Sequence, residues 1–212
     1  MSVNVDMLLN EQIIRQIEEM NEIRRKIFNF ISLLKPKAIL SVGEGVAKKQ
    51  TCIGQCILNK CLPNTVRTIV LIDLLNRSSD SFFSDPDLCL SSNVHIVPVY
   101  GDATKLPFPN NFFELTVAPF MIDDCADHYK LFNELLRCTK KNGYIIISGH
   151  GLDTVKMKDK SFSLLGSCHR NQADPNEINT FAALNGYNII QSVQNNHAWF
   201  RIIKKEQINC KN

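Results

Sequence analysis

AILSVGEGVA, residues Ala38 to Ala47, is the stretch whose reading decides the fold. Five apolar or small residues run into two glycines one position apart, Gly43 and Gly45, and a helical pattern follows from about Lys48 to Lys60. A short apolar run closed by turn residues reads as a buried strand, and the change of period after it marks a helix. Glycine at such a junction permits a tight turn and a close approach to the backbone. The helix beyond it offers unpaired N–H groups in its first turn.

The same alternation recurs on both sides. Thr68–Ile72 is an apolar run closed by Asp73, Val94–Val99 one closed by Gly101 and Asp102, and Phe113–Ala118 and Tyr144–Ser148 are two more. Leu131, Phe132, Leu135 and Leu136 make His128–Thr139 helical, with Gly143 as its stop signal. Glu177–Leu184 is another helix, and Tyr187–Val193 and Ala198–Ile203 are strands whose short link implies a hairpin. Upstream, Leu9, Ile13, Ile17, Met20, Ile23, Ile27, Ile31 and Leu34 recur at helical steps. Met7–Leu34 is therefore a helix, with Asp6 as N-cap and Pro36 as terminator. Its other face carries Glu18, Glu22, Arg25 and Lys26, and the helix serves either as packing or as a lid over a ligand. Strands alternating with helices give an α/β fold, a Rossmann-like seven-stranded mostly parallel sheet with one antiparallel strand. Continuous apolar strands place helices on both faces. Residues 1–36 form the N-terminal helical segment, 37–205 the main domain and 206–212 a tail.

Composition narrows the classes. The 212 residues are 44% hydrophobic, and 24 Lys and Arg stand against 21 Asp and Glu, a net charge of +3. That is an ordinary folded chain, with a basic excess too small and dispersed for nucleic acid or an anionic membrane. No apolar run is long enough for a membrane span, and Met1–Asp6 lacks a secretory signal, so the expected location is cytoplasmic. Among the eight cysteines, Cys52, Cys56 and Cys61 form the one cluster, without zinc-knuckle spacing or a nearby histidine. They read as reduced, buried small hydrophobes in a cytosol-like compartment, and no metal site is expected.

Ligands of open α/β sheets sit beyond the carboxyl ends of the strands, at the point where the strand order reverses. The residues that follow the strands are therefore the candidates: Gly43–Ala47, Asp73, Asp102, Pro119–Asp124 and Gly149–Gly151. Asp73 suits the two hydroxyls of a ribose, or caps a turn. Asp102 suits an exocyclic amine, with Ala103 and Leu106 as apolar neighbours, or caps its own turn. Lys48 stands where a dinucleotide fingerprint has its third glycine, which disfavours a nicotinamide cofactor.

Two blocks carry a resemblance. GDATKLPFPNNFFELTVAPFMID (Gly101–Asp123) and ELLRCTKKNGYIIISG (Glu134–Gly149) resemble class I S-adenosylmethionine-dependent methyltransferases, most closely the group that includes quinone- and biotin-pathway enzymes. The resemblance runs from about Ala38 to Ile203. It implies S-adenosylmethionine as cofactor and in-line methyl transfer to a small-molecule acceptor. Gly43 and Gly45 would receive the methionine moiety, Asp73 the ribose, Leu74 the adenine face, Asp102 and Ala103 the adenine edge. Pro119 and Phe120 would flank the sulfonium and the acceptor. Asp123, Asp124 and His150 are candidates for orienting or deprotonating the acceptor. Ser41 and Ala47 depart from the family, which has an acidic residue and a glycine there, and Glu44 is a candidate replacement for the missing charge. Glu114 replaces the aspartate that ends the first block, and Asn142-Gly143 replaces paired glycines. The alternative to an enzyme is a catalytically inactive relative acting as a binding or regulatory partner of another protein. The segment Asp153–Pro175 is expected to select the substrate or simply to connect. Its Lys156, Lys158 and Lys160 suit an anionic acceptor or a solvated face.

Overall fold

The computed structural model describes residues 5–43, 62–74, 93–151 and 173–206. The expected helix over Lys48–Lys60, the cysteine cluster, Glu44, Gly45 and Ala47, and Lys156, Lys158 and Lys160 lie outside the described residues. In chain order the elements are α1 (Val5–Leu34), β1 (Ala38–Val42), β2 (Thr68–Asp73), β3 (His95–Tyr100), β4 (Phe113–Ala118) and a short 3₁₀ turn (Ile122–Asp124). Then follow α2 (His128–Cys138), β5 (Thr139–His150), α3 (Pro175–Leu184), β6 (Asn188–Gln194) and β7 (Ala198–Lys204).

The strands form one seven-stranded sheet in the order β3-β2-β1-β4-β5-β7-β6. β7 is antiparallel to both β5 and β6, and the other neighbouring pairs are parallel. Successive residues of a strand point to opposite faces, and both faces are covered. Ile39, Ile69, Leu71, Leu115, Val117, Ile146, Phe200 and Ile202 meet Ile23, Ile27, Phe28 and Ile31 of α1 on one side. Leu40, Val42, Val70, Ile72, Ile145, Ile147, Trp199 and Ile203 meet Leu131, Phe132 and Leu135 of α2 and Ile178 of α3 on the other.

Four expectations need correction. α1 is already helical at Val5, so Asp6 lies inside it and is not its N-cap. Ile17 is 53% exposed and Gln16 is buried, so the apolar stripe covers the sheet only from about Met20 onward. α2 stops at Cys138, not near Gly143. Thr139 is already extended, its hydroxyl donates to the Leu135 carbonyl at 2.6 Å, and the chain passes straight into β5. Asn142 takes the left-handed turn at φ +64°. Gly143 is needed inside the strand because a Cβ there would lie 2.9 Å from the carbonyl oxygens of Glu114 and Lys140. Lastly, the edge strands β3 and β6 alternate exposed and half-buried residues, so double coverage holds only for the inner strands. Pro98, which has no N–H, is tolerated because β3 is an edge.

Lys35, at φ +50°, breaks α1 just before Pro36. Glu114 then fastens the entry to β1: it accepts from the Lys37 N–H and from Lys140 Nζ at 3.2 Å. Its substitution for aspartate therefore bears on the amino end of the sheet, away from the ligand end.

Candidate functional site

The strand order reverses between β1 and β4, so the crevice lies where their carboxyl ends diverge. On the β1 side the ends line up by register. Val42 pairs with Ile72, and Asp73 with Tyr100. The Gly43 N–H donates to the Ile72 carbonyl at 2.8 Å and the Gly101 N–H to the Asp73 carbonyl at 3.0 Å. Gly43, Asp73 and Asp102 thus follow three neighbouring strands along one edge. Gly43 has φ +72°, and a Cβ on it would lie 2.4 Å from Cβ of Met121. Conformation and space both require glycine here. Met121, which follows β4, closes against the β1 turn across the switch point.

Asp73 is half-buried and Leu74 beside it is 61% exposed, a large apolar surface at the mouth of the site. Asp102 is exposed, and its Oδ1 accepts from both the N–H and the hydroxyl of Thr104 at 2.8 Å. It therefore builds its own turn. Ala103 and Leu106 are buried in the core. The two sequence blocks touch here. The Leu106 N–H donates to Glu134 Oε2 at 2.7 Å, and Arg137 donates to the carbonyls of Leu106 at 2.9 Å and Phe108 at 2.6 Å. Arg137 also pairs with Glu134 through Nε–Oε1 at 2.7 Å. That pair, with the Leu106 N–H, holds Glu134 below the ordinary carboxylate range against its partial burial. The loop that carries Asp102 is clamped from α2.

On the β4 side the arrangement is denser. Pro119 is buried, and Phe120 sits at φ +55°, a left-handed conformation that costs a bulky residue energy. Its N–H is aimed at both the carbonyl and the hydroxyl oxygen of Ser148, each at 3.0 Å. The Phe120 ring lies between Arg24 of α1, 5.3 Å from the ring centre, and His150, whose ring centre is also 5.3 Å away. Asp123 is 1% exposed. Its Oδ2 accepts from the backbone N–H of His150 at 2.8 Å and faces His150 Nδ1 at 2.8 Å, while Oδ1 accepts from the Ala173 N–H at 3.0 Å. Burial pushes the Asp123 carboxyl up. The hydrogen bond and charge of His150 and the two backbone donors outweigh burial and hold it below the usual range. Asp124 ends the same 3₁₀ turn but is exposed.

α1 belongs to this end too. Arg24 covers Phe120, and Asn195 Nδ2, in the β6–β7 turn, donates to the Glu19 carbonyl at 3.2 Å. The turns of α1 upstream of Glu19 therefore run past the carboxyl edge of the sheet. Arg24 was not legible as a site residue. Its one signal is its place beside Ile23 on the border of the apolar stripe. Ser148 left no signal, since a strand serine is commonplace, and Met121 had only its place in the loop after β4.

Cys125 and Cys138 are buried free thiols, and burial pushes both up. Among the described residues no group of three or more His, Cys, Asp or Glu side chains is placed to hold a metal. Among them, too, no helix is long and apolar enough to cross a membrane.

Residues 53–147 match the family described as a methyltransferase domain. Among solved structures, a SAM-dependent methyltransferase from Aquifex aeolicus is similar at 16% identity over 80% of this chain and 82% of its own, with a TM-score of 0.58. The YcgJ protein from Bacillus subtilis gives a TM-score of 0.64 at 14% identity, over 86% of this chain and 97% of its own. The PH0226 protein from Pyrococcus horikoshii OT3 gives 0.62 at 14% identity, over 93% and 92%. At such identities the likeness is one of fold. No curated protein matches the chain.

Proposed function

We propose that the chain, whose residues 53–147 match a methyltransferase domain, is of the class I, S-adenosylmethionine-dependent kind and transfers a methyl group from that cofactor to a small acceptor. The observation that carries this reading is the row of Gly43, Asp73 and Asp102 on adjacent strand ends, with Met121 after β4 lying against Gly43 across the switch point.

The residues fit the cofactor. Asp73 is a carboxylate at the end of β2, suited to two ribose hydroxyls, and the exposed Leu74 beside it offers the apolar surface that an adenine ring would cover. Asp102 and Ala103, which follow β3, would meet the adenine edge, and Gly43 would receive the methionine portion. When bound, the cofactor supplies an electrophilic methyl carbon on a sulfonium. The protein's contribution is then alignment of donor and acceptor, which supplies up to roughly 7–11 kcal/mol of the barrier. Pro119 and Phe120, the latter held through its N–H by Ser148, would flank the sulfonium and the acceptor. Ser41 lies fully buried in β1 where the family has an acidic residue. The missing charge-assisted hydrogen bond is worth roughly 1.5–3 kcal/mol, or about 10- to 100-fold in affinity. The buried thiols support a reducing, cytosol-like compartment.

The test is thermal melting and calorimetry with S-adenosylmethionine and S-adenosylhomocysteine. Ligand at 100 times Kd adds about 2.7 kcal/mol. No binding at millimolar ligand sinks the reading and leaves a silent relative that serves as a partner.

A further inference from the structure

We infer that the Glu134–Arg137 pair of α2 is a positioning element for the base of the cofactor: it fixes the place of Asp102 relative to Asp73, so that affinity for the adenine edge depends on two side chains acting through a loop. The inference rests on the methyl-transfer reading above.

The pair does more than an ordinary helix-surface pair. An exposed Glu–Arg pair three residues apart contributes little by itself. Here Glu134 is 19% and Arg137 31% exposed, and every N–H group of the guanidinium has an acceptor. Nε donates to Glu134 Oε1 at 2.7 Å and Nη2 to Oε2 at 2.8 Å, a fork that fixes direction as well as distance. Nη2 also reaches the Leu106 carbonyl at 2.9 Å, and Nη1 reaches the Phe108 carbonyl at 2.6 Å and Asn110 Oδ1 at 3.0 Å. Glu134 Oε2 accepts the Leu106 N–H at 2.7 Å. The pair therefore holds both backbone groups of Leu106, whose side chain is buried in one cluster with Leu131, Phe132 and Leu135 of α2.

From Leu106 to Asp102 the path is short. The Lys105 N–H donates to the Asp102 carbonyl at 3.0 Å and closes the turn between them. On the other side, the Gly101 N–H donates to the Asp73 carbonyl at 3.0 Å. Asp102 thus stands between two anchors, one on the strand end that carries Asp73 and one on α2. Its carboxylate is bonded to Thr104 within the same turn, so the turn moves as a unit, and its place is decided at Leu106. A ligand that spans Asp73 and Asp102 gains affinity when their spacing is set before it arrives, because the loop is already ordered. A ligand that reaches only Asp73 gains nothing from the second anchor. The pair therefore acts on the base and leaves the ribose contact alone.

The experiment is calorimetry on the full chain with two probes: S-adenosylhomocysteine, which has the base, and S-ribosylhomocysteine, which lacks it. Arg137→Lys keeps the charge but cannot hold Glu134 and two carbonyls at once. It is expected to lower affinity for S-adenosylhomocysteine about 10-fold and to leave affinity for S-ribosylhomocysteine within about two-fold. In an Asp102→Asn background the same change is expected to lower S-adenosylhomocysteine affinity less than about two-fold, since both substitutions act on one contact. Glu134→Gln keeps one acceptor oxygen, so either the Leu106 N–H or an arm of the guanidinium loses its partner. It is expected to act in the same direction with a smaller loss, and it serves as the test if Arg137→Lys does not fold. Unchanged S-adenosylhomocysteine affinity in these variants, an equal loss for both probes, or the full loss in the Asp102→Asn background each overturns the proposal. Failure of the unaltered protein to bind S-adenosylhomocysteine overturns the methyl-transfer reading instead.

Discussion

Asp102 and Asp123 stand on opposite sides of the same crevice and are held in opposite ways. Asp102 is exposed, and its described contacts are with Thr104, two residues away. Asp123 is buried, and its partners come from His150 and Ala173, far along the chain. Among the described residues, the β1–β3 side is thus a row of loop ends, with Asp102 shaped by its own turn. The β4–β5 side is a network assembled by the fold before any ligand arrives.

The contrast breaks most sharply at Asp123. Asp123→Ala leaves two buried N–H groups and the His150 ring without their acceptor, and should cost about 3–5 kcal/mol in urea unfolding. A loss below about 1 kcal/mol would mean that the β4–β5 half is no more tightly built than the other. Gly43→Ala comes next, because it puts a methyl group against Met121 at a left-handed φ. About 1–3 kcal/mol of stability should be lost, and the double variant with Met121→Ala should recover the steric part only. Asp73→Ala should lower affinity for S-adenosylhomocysteine about 10- to 100-fold by calorimetry. Unchanged affinity would remove the ribose from the end of β2. The smallest effect belongs to Asp102→Asn, which keeps one oxygen for Thr104: stability should hold within about 0.5 kcal/mol while ligand affinity falls.

Acid sharpens the same comparison. The Asp123 carboxyl is lower in the folded chain than in the unfolded one. Its contribution is therefore fully present above the ordinary carboxylate value of about 3.9 and is lost as pH falls through the lower folded value. Stability measured below about pH 4 should fall more steeply in the unaltered protein than in Asp123→Asn. Parallel curves would show that the pair carries no charge.

Where the sequence could be read, the cause was local. The strand at Ala38–Val42 was legible from five residues, and the antiparallel β7 from the length of its link to β6. The turn glycine at Gly43 and the acidic ends of β2 and β3 were visible because each closes an apolar run. Asp123 and His150 were visible only as residues that follow strands, and Asp124 looked their equal. Gly143 misled because glycine after a helical pattern has two uses, stopping a helix and admitting close backbone, and here only the second applies.

The sequence by itself determined the order of strands and helices and the loops that face the ligand, because period and turn chemistry act over a few residues. The tertiary structure alone decided which aspartate would be buried against a histidine, which arginine would cover Phe120, and which methionine would close on Gly43. Those pairings join residues far apart in the chain, and a carboxylate's surroundings, not its identity, set whether it caps its own turn or holds another strand in place.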